Sequence, residues 1–239
     1  MRLIFRKTIL GLSGSAAIGI LSSLICCVNA QAEVFISRYS VSLAGVHIGD
    51  AILRTSLEAK TYKVAVSADF SVMLVNTRIA GEASGSRAGA KLAPDHFRMI
   101  TTGGEESAVE TNFAGSRANA KAAQHLRGLL DPLSALLVTS LKPGAASSSC
   151  NHVLPVLLGR TRFDLRLYPK PAAEPAEKPA AVTCLAIASD SRPGQRDLVM
   201  EIGFRKLPKP HVWLVEYLSL PTQNGTLAIE RAETAVSGS

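Results

Sequence analysis

The feature that most constrains this chain is its rhythm. Short stretches in which apolar and polar residues alternate are interrupted at roughly 8–12-residue intervals by glycine, proline or asparagine. Alternation with period two places successive side chains on opposite faces, so such a chain buries its apolar face only by pairing strands into a sheet. At 34–43, Phe35, Tyr39, Val41 and Leu43 fall mainly on one side, with Val34, Ile36, Arg38 and Ser40 on the other. Ala44-Gly45 breaks this run, and an extended stretch resumes from His47 to Leu57. At 62–70, Tyr62, Val64, Val66, Ala68 and Phe70 share a face. Residues 75–86 read as a curved strand rich in small residues, and Pro94 precedes a strand at 96–101. Gly103-Gly104 turns the chain into 107–113, and Gly115-Ser116 turns it into a further strand at 117–122. The second half adds strands at 152–158, 160–168, 181–189, 197–204, 211–220 and 226–231, with Asn224-Gly225 as the hairpin signal between the last two. The pattern predicts an antiparallel sheet, sandwich or barrel.

One stretch departs from the rhythm. Asp131-Pro132 is a helix start: an aspartate side chain accepts from orphan backbone N–H groups, and proline suits the first helical position. Leu133, Leu136, Leu137 and Leu141 then give one apolar face, and Pro143-Gly144 stops the helix, which is expected near 131–141. Asp131 therefore reads as a cap rather than a catalytic carboxylate. The alternating strand beyond it sets Phe163, Leu165 and Leu167 against Arg162, Asp164 and Arg166. The simpler reading is a solvated face on which Asp164 bridges the two arginines. The sharper one is an anion or partner contact by Arg160, Arg162 and Arg166. Four prolines make 169–180 an exposed loop joining two strands.

The N-terminus reads as a secretory signal peptide. Arg2, Arg6 and Lys7 lead into an apolar run at 9–28 that ends in small residues, and cleavage is expected near 30–32. No residue smaller than leucine or isoleucine precedes Cys26 in the way a lipoprotein signal requires, and there is no twin arginine. Cutting after Ala30 leaves 209 of the 239 residues and lowers the formal charge from +7 to +4, because three basic residues depart. That length suits a single β-rich domain over 33–239, with no permanent membrane span once the leader is gone. A charge of +4 is no nucleic-acid signature. Cys26 and Cys27 leave with the signal, so Cys150 and Cys184 form an even pair in an exported chain and read as one disulfide.

Motifs that carry chemistry are missing. There is no Gly-x-Ser-x-Gly, no phosphate-binding loop and no dinucleotide fingerprint. His47, His96, His125, His152 and His211 lack metal-ligand spacing, Glu105-Glu106 reads as a hairpin tip, and Trp213 reads as a core residue. No metal, cofactor or nucleic-acid partner is expected.

Three segments together resemble a known family: Tyr39 to Gly49 with its glycine turn, Asp131-Pro132-Leu133-Ser134-Ala135-Leu136, and Cys150 followed by Gly159-Arg160-Thr161-Arg162-Phe163-Asp164-Leu165 with Cys184 beyond. The chain resembles the exported Gram-negative envelope proteins of the domain of unknown function 3108 family. The resemblance implies a periplasmic, mostly antiparallel β protein without assigned catalytic residues. With the strand pattern, it leads us to expect a single, strongly curved sheet, an open barrel or β-spiral, carrying one short helix. The function expected is non-enzymatic: binding a protein partner or an apolar, lipid-like ligand in support of envelope integrity. The alternative is an envelope hydrolase or transferase whose site lies around Asp164 and the nearby arginines.

Overall fold

A computed structural model describes residues 32–72, 75–103, 106–114, 125–141, 150–170, 181–190, 196–207 and 212–237. Among these residues the alternating stretches pair into one twelve-stranded antiparallel sheet. The first six strands are β1 (Glu33–Leu43), β2 (Val46–Leu57), β3 (Thr61–Val72), β4 (Val75–Ala88), β5 (Lys91–Thr102) and β6 (Ser107–Asn112). The last six are β7 (His152–Leu158), β8 (Thr161–Pro169), β9 (Ala181–Asp190), β10 (Leu198–Lys206), β11 (Trp213–Thr222) and β12 (Gly225–Ser237). Each half is a meander of hairpins. The two halves join where the first and last strands pair, giving the order β6-β5-β4-β3-β2-β1-β12-β11-β10-β9-β8-β7. Sequence separation between β1 and β12 is thus converted into a continuous wall, and helix α1 (Pro132–Leu141) lies in the connection between the outer strands.

Register irregularities at Arg38/Tyr39, Val41/Ser42, Ser84/Gly85 and Gly203/Phe204 bend the sheet. It curls until its outer edges approach. Phe113, just after β6, and Leu157 of β7 fall in one buried cluster, and Leu130 forms a parallel bridge to β7 through Leu130 N–H to Pro155 O at 2.9 Å and Leu157 N–H to Leu130 O at 2.8 Å. The result is a nearly closed barrel, as the strand pattern and the family resemblance led us to expect.

Local chemistry explains the places where boundaries differ from expectation. Pro94 lies inside β5 rather than before it, because the bulge opposite Gly85 accommodates a residue without an N–H. A side chain at Gly85 would meet Ala93 O at 2.3 Å, so only glycine allows that approach. The last hairpin turns on Gln223-Asn224, with Gly225 (φ +110°) already paired to Thr222. β12 continues past Arg231 to Ser237 because β1 supplies a partner along its whole length. The expected strand at 117–122, the leader at 1–30 and most of the proline-rich loop lie outside the described residues.

The helix forms where Asp131 and Pro132 place it, but it is more deeply enclosed than a helix with one apolar face. Ser134, Ala135, Leu137, Val138, Thr139 and Ser140 are all buried. Its small and hydroxyl-bearing residues tolerate this because Thr139 and Ser140 return their hydroxyl protons to the carbonyls of Ala135 and Leu136. Ala135 and Val138 pack into the main core with Leu154, Val156, Phe204 and Trp213, while Leu137 packs with Phe35, Leu57, Tyr62 and Val64. The helix therefore joins the two halves of the barrel from within. Cys150 and Cys184 form the expected disulfide, with Cα atoms 5.3 Å apart and both residues fully buried.

Candidate functional site

The wall is continuous at one end and forked at the other. β11 and β12 pair only from Tyr217–Glu230 to Thr222–Gly225. Beyond that point β12 stays with β1 as far as Val34–Ser237, and β11 stays with β10 as far as Trp213–Lys206. Extra residues in β12 near Ala232 and in β11 near Glu216 split the ladder, since a bulged strand turns away from its neighbour.

A charged group sits at the crotch of the fork. Arg231 Nε donates to Glu216 Oε2 at 2.8 Å, and its Nη2 binds the same oxygen. Arg205 Nη2 lies 2.8 Å from Glu216 Oε1. The Arg231 and Glu216 side chains are only 10 % and 12 % exposed, while that of Arg205 is 39 % exposed. Two guanidinium groups thus face one carboxylate. Hydroxyls extend the group inward: Arg231 Nη1 donates to Thr234 Oγ1 at 2.8 Å, and Thr234 lies 3.1 Å from the buried hydroxyl of Ser37. Tyr39, paired to Arg231 across the strands, donates its hydroxyl to Val215 O at 3.1 Å, a carbonyl that the diverging β12 no longer serves. Burial pushes the Tyr39 pKa up to about 12, against the smaller opposing pull of a hydrogen bond with Ser37 and of the Arg231 charge.

Between the arms of the fork lies an apolar crevice. Phe35, Leu53, Leu57 and Val64 line one side, Val212, Leu214 and Val215 the other, and Leu133, Leu136 and Leu137 of α1 the floor. Ser37, Tyr39, Thr55 and Ser140 supply its few polar groups. Its free volume is about 20 Å³, enough for roughly one water. The leucine face predicted from the sequence is thus the surface that α1 turns toward the crevice.

The helix is pinned beside it by a buried polar chain. Asp131 Oδ1 accepts the Ser134 N–H at 2.9 Å and Oδ2 accepts the Ser134 hydroxyl at 2.5 Å. Ser134 Oγ lies 2.7 Å from Tyr62 Oη on β3. An ionised carboxylate only accepts, so Ser134 donates to it and Tyr62 donates to Ser134. Asp131 is fully buried, and desolvation raises its pKa despite these hydrogen bonds.

The arginine strand lies elsewhere. Phe163, Leu165 and Leu167 pack against the main core, and Arg160, Arg162 and Arg166 are exposed. The structure therefore places these arginines on the outer surface, away from the crevice. Trp213 is buried in the main core, next in sequence to two crevice residues. Glu216, Arg205 and Arg231 were not singled out in the sequence. The available signal was the charge of Glu216 inside the apolar run Trp213-Leu214-Val215 and Leu218. Among the described residues, no group of three His, Cys, Asp or Glu side chains is placed to hold a metal ion, and no helix is long and apolar enough to cross a membrane.

No family model and no curated protein matches the chain. Among solved structures, it is similar to the hypothetical protein CT021 from Chlamydia trachomatis, with 9 % identity, a TM-score of 0.36, and coverage of 83 % of this chain and 86 % of that one.

Proposed function

We propose that this is an exported, non-enzymatic envelope protein of the domain of unknown function 3108 family, which binds an apolar, lipid-like ligand in the crevice between the fork and α1. The observation that carries this reading is the crevice itself: an apolar slot in a barrel wall, floored by a helix rather than by the sheet. Ligand sites are mainly apolar with a few placed polar groups, which is the composition of this slot. In its closed form it holds no chain. A ligand enters by taking over the apolar contacts that Leu133, Leu136 and Leu137 make with the slot, exchanging one apolar contact for another, so the hydrophobic cost of opening is largely recovered on binding. The signal-like N-terminus supports a periplasmic location, and the disulfide suits an oxidising compartment.

Native mass spectrometry of protein recovered from a periplasmic extract tests both parts. The expected mass lacks residues 1–30 or 1–32 and carries, or takes up on incubation, a lipid-sized adduct. A full-length mass overturns export by signal cleavage. A clean apo mass that persists with added lipid overturns the ligand.

A further inference from the structure

The fork places two cations beside one anion at the end of an apolar slot, and this asymmetry points to the chemistry of the ligand. We propose that the crevice takes a single-chain amphiphile ending in an anion, with its chain along α1 and its head group held by Arg205 and Arg231. The inference rests on the apolar-ligand reading above and adds the head group to it.

Charge complementarity selects this occupant. Glu216 balances one of the two guanidinium charges, leaving one positive charge in excess on a cluster whose Arg205 reaches solvent. An incoming carboxylate or phosphate cancels that excess through charge-assisted hydrogen bonds. The geometry also leaves a donor free. Arg205 Nε is buried and has no hydrogen-bond partner among the described residues, while its Nη2 is committed to Glu216. Most buried donors are satisfied, so an unmet guanidinium N–H in a fork marks a vacant acceptor position. The hydroxyls of Thr234 and Ser37 lead from Arg231 to the slot, which Ser37 lines, and Arg205 is paired across the strands to Leu214, another lining residue, so head and chain of one molecule would span neighbouring surfaces. A neutral ligand could accept from Arg205 Nε but would leave the charge uncompensated. A two-chain lipid would need a second slot, and the apolar side chains here line one.

Trp213 is the single tryptophan and is flanked in the chain by the crevice residues Val212 and Leu214, which puts it within the short range of a bromine quencher bound there. Quenching of its fluorescence by a dibrominated fatty acid gives the binding signal. Dodecanoate, dodecyl phosphate and dodecanol then compete, each below its aggregation threshold. The anions are expected to displace the reporter at least about tenfold more tightly than the alcohol, the scale of a charge-assisted hydrogen bond. The two anions, compared with each other, identify the head group. Arg205→Gln is expected to lower anion affinity toward that of the alcohol while leaving the alcohol unchanged. Arg205 is partly exposed, so this variant keeps the buried Arg231–Glu216 pair intact. Glu216→Gln, which frees both guanidinium groups, is expected to tighten the anions alone. Equal competition by anions and alcohol, or an anion preference untouched by Arg205→Gln, overturns the head-group assignment and leaves the apolar-ligand reading standing. No quenching by the brominated acid, with no displacement by any competitor, overturns both.

Discussion

Single residues at the fork are held by what the backbone lacks there. Where β12 leaves β11, the carbonyl of Val215 loses its ladder partner, and Tyr39 reaches across to donate its hydroxyl. A buried carbonyl without a donor costs about 1–3 kcal/mol, so removing the hydroxyl acts mainly through the acceptor it abandons. Tyr39→Phe is therefore expected to destabilise the protein by about 1–2 kcal/mol in urea denaturation. The pH dependence has a definite sign. The folded pKa of about 12 stands above the ordinary 10.0, so the folded state holds this proton more firmly than the unfolded chain. The associated stability is fully present below pH 10 and is lost as pH rises toward 12. In an alkaline titration followed by the phenolate absorbance, Tyr39→Phe should remove one tyrosine from the late-ionising phase. A late phase of unchanged amplitude in the variant would show that Tyr39 does not titrate there.

At the scale of elements, the helix and strands divide sharply in how they could be read beforehand. The strands announce themselves because each has one wet and one dry face, and their alternation survives in the sequence. α1 also announces its start, since capping is local chemistry between Asp131 and the next three residues. Its depth does not show, because a helix inside a barrel is packed on sides that solvent would otherwise touch. The leucine face was legible, while the burial of Ser134 and Thr139 depended on partners far away in sequence, such as Tyr62 on β3. The fork was illegible for the same reason: it arises where bulges in β11 and β12 meet, and the charge of Glu216 within its apolar run marks an odd residue without announcing a bulge. The arginine strand presents its charges to solvent, whereas the slot is lined from β1, β2, β3, β11 and α1, and the charged group beside it comes from β10, β11 and β12. The cap gives its own prediction. Asp131→Ala should cost about 1–2 kcal/mol, the usual range for a lost N-cap, whereas Asp131→Asn retains an acceptor for the Ser134 N–H and should cost less. Because burial raises the Asp131 pKa, the folded state favours its protonated form, and the stability linked to that proton is lost as pH rises from 3.8 through the folded value. The urea midpoint of the wild type relative to Asp131→Asn should accordingly fall as pH rises across this interval. A relative midpoint that climbs instead would mean that the hydrogen bonds outweigh desolvation.

For the molecule as a whole, the decisive fact is that β1 and β12 join two meanders whose remaining link passes through α1 and the chain leading to β7. The disulfide stands at that second link. Cys150 lies just before β7, and Cys184 lies within β9, so the bridge spans β8 and ties the chain arriving from α1 to the interior of the second meander. Closing a loop of sequence separation 34 restricts the unfolded chain, and the chain-entropy model assigns roughly 3–4 kcal/mol to a loop of this size. The native side of the balance points the same way, since both sulfurs are packed in the main core with Val182, Ala186 and Ile202. Replacing both cysteines by serine should lower the melting temperature, through the lost cross-link and through two hydroxyls left in an apolar setting. Replacing both by alanine separates these effects, because it removes the cross-link without burying a polar group. The alanine variant should still lose most of the stability lost by the serine variant. Hydrogen exchange should then show where the loss falls: amides of β7, β8 and β9 become less protected, while β2, β3 and β4, whose pairing the bridge does not touch, retain their protection. An unchanged melting temperature in the alanine variant would refute the stabilising role of the cross-link. An even loss of protection across all twelve strands would show that the two meanders unfold as one unit rather than as halves joined at β1 and β12.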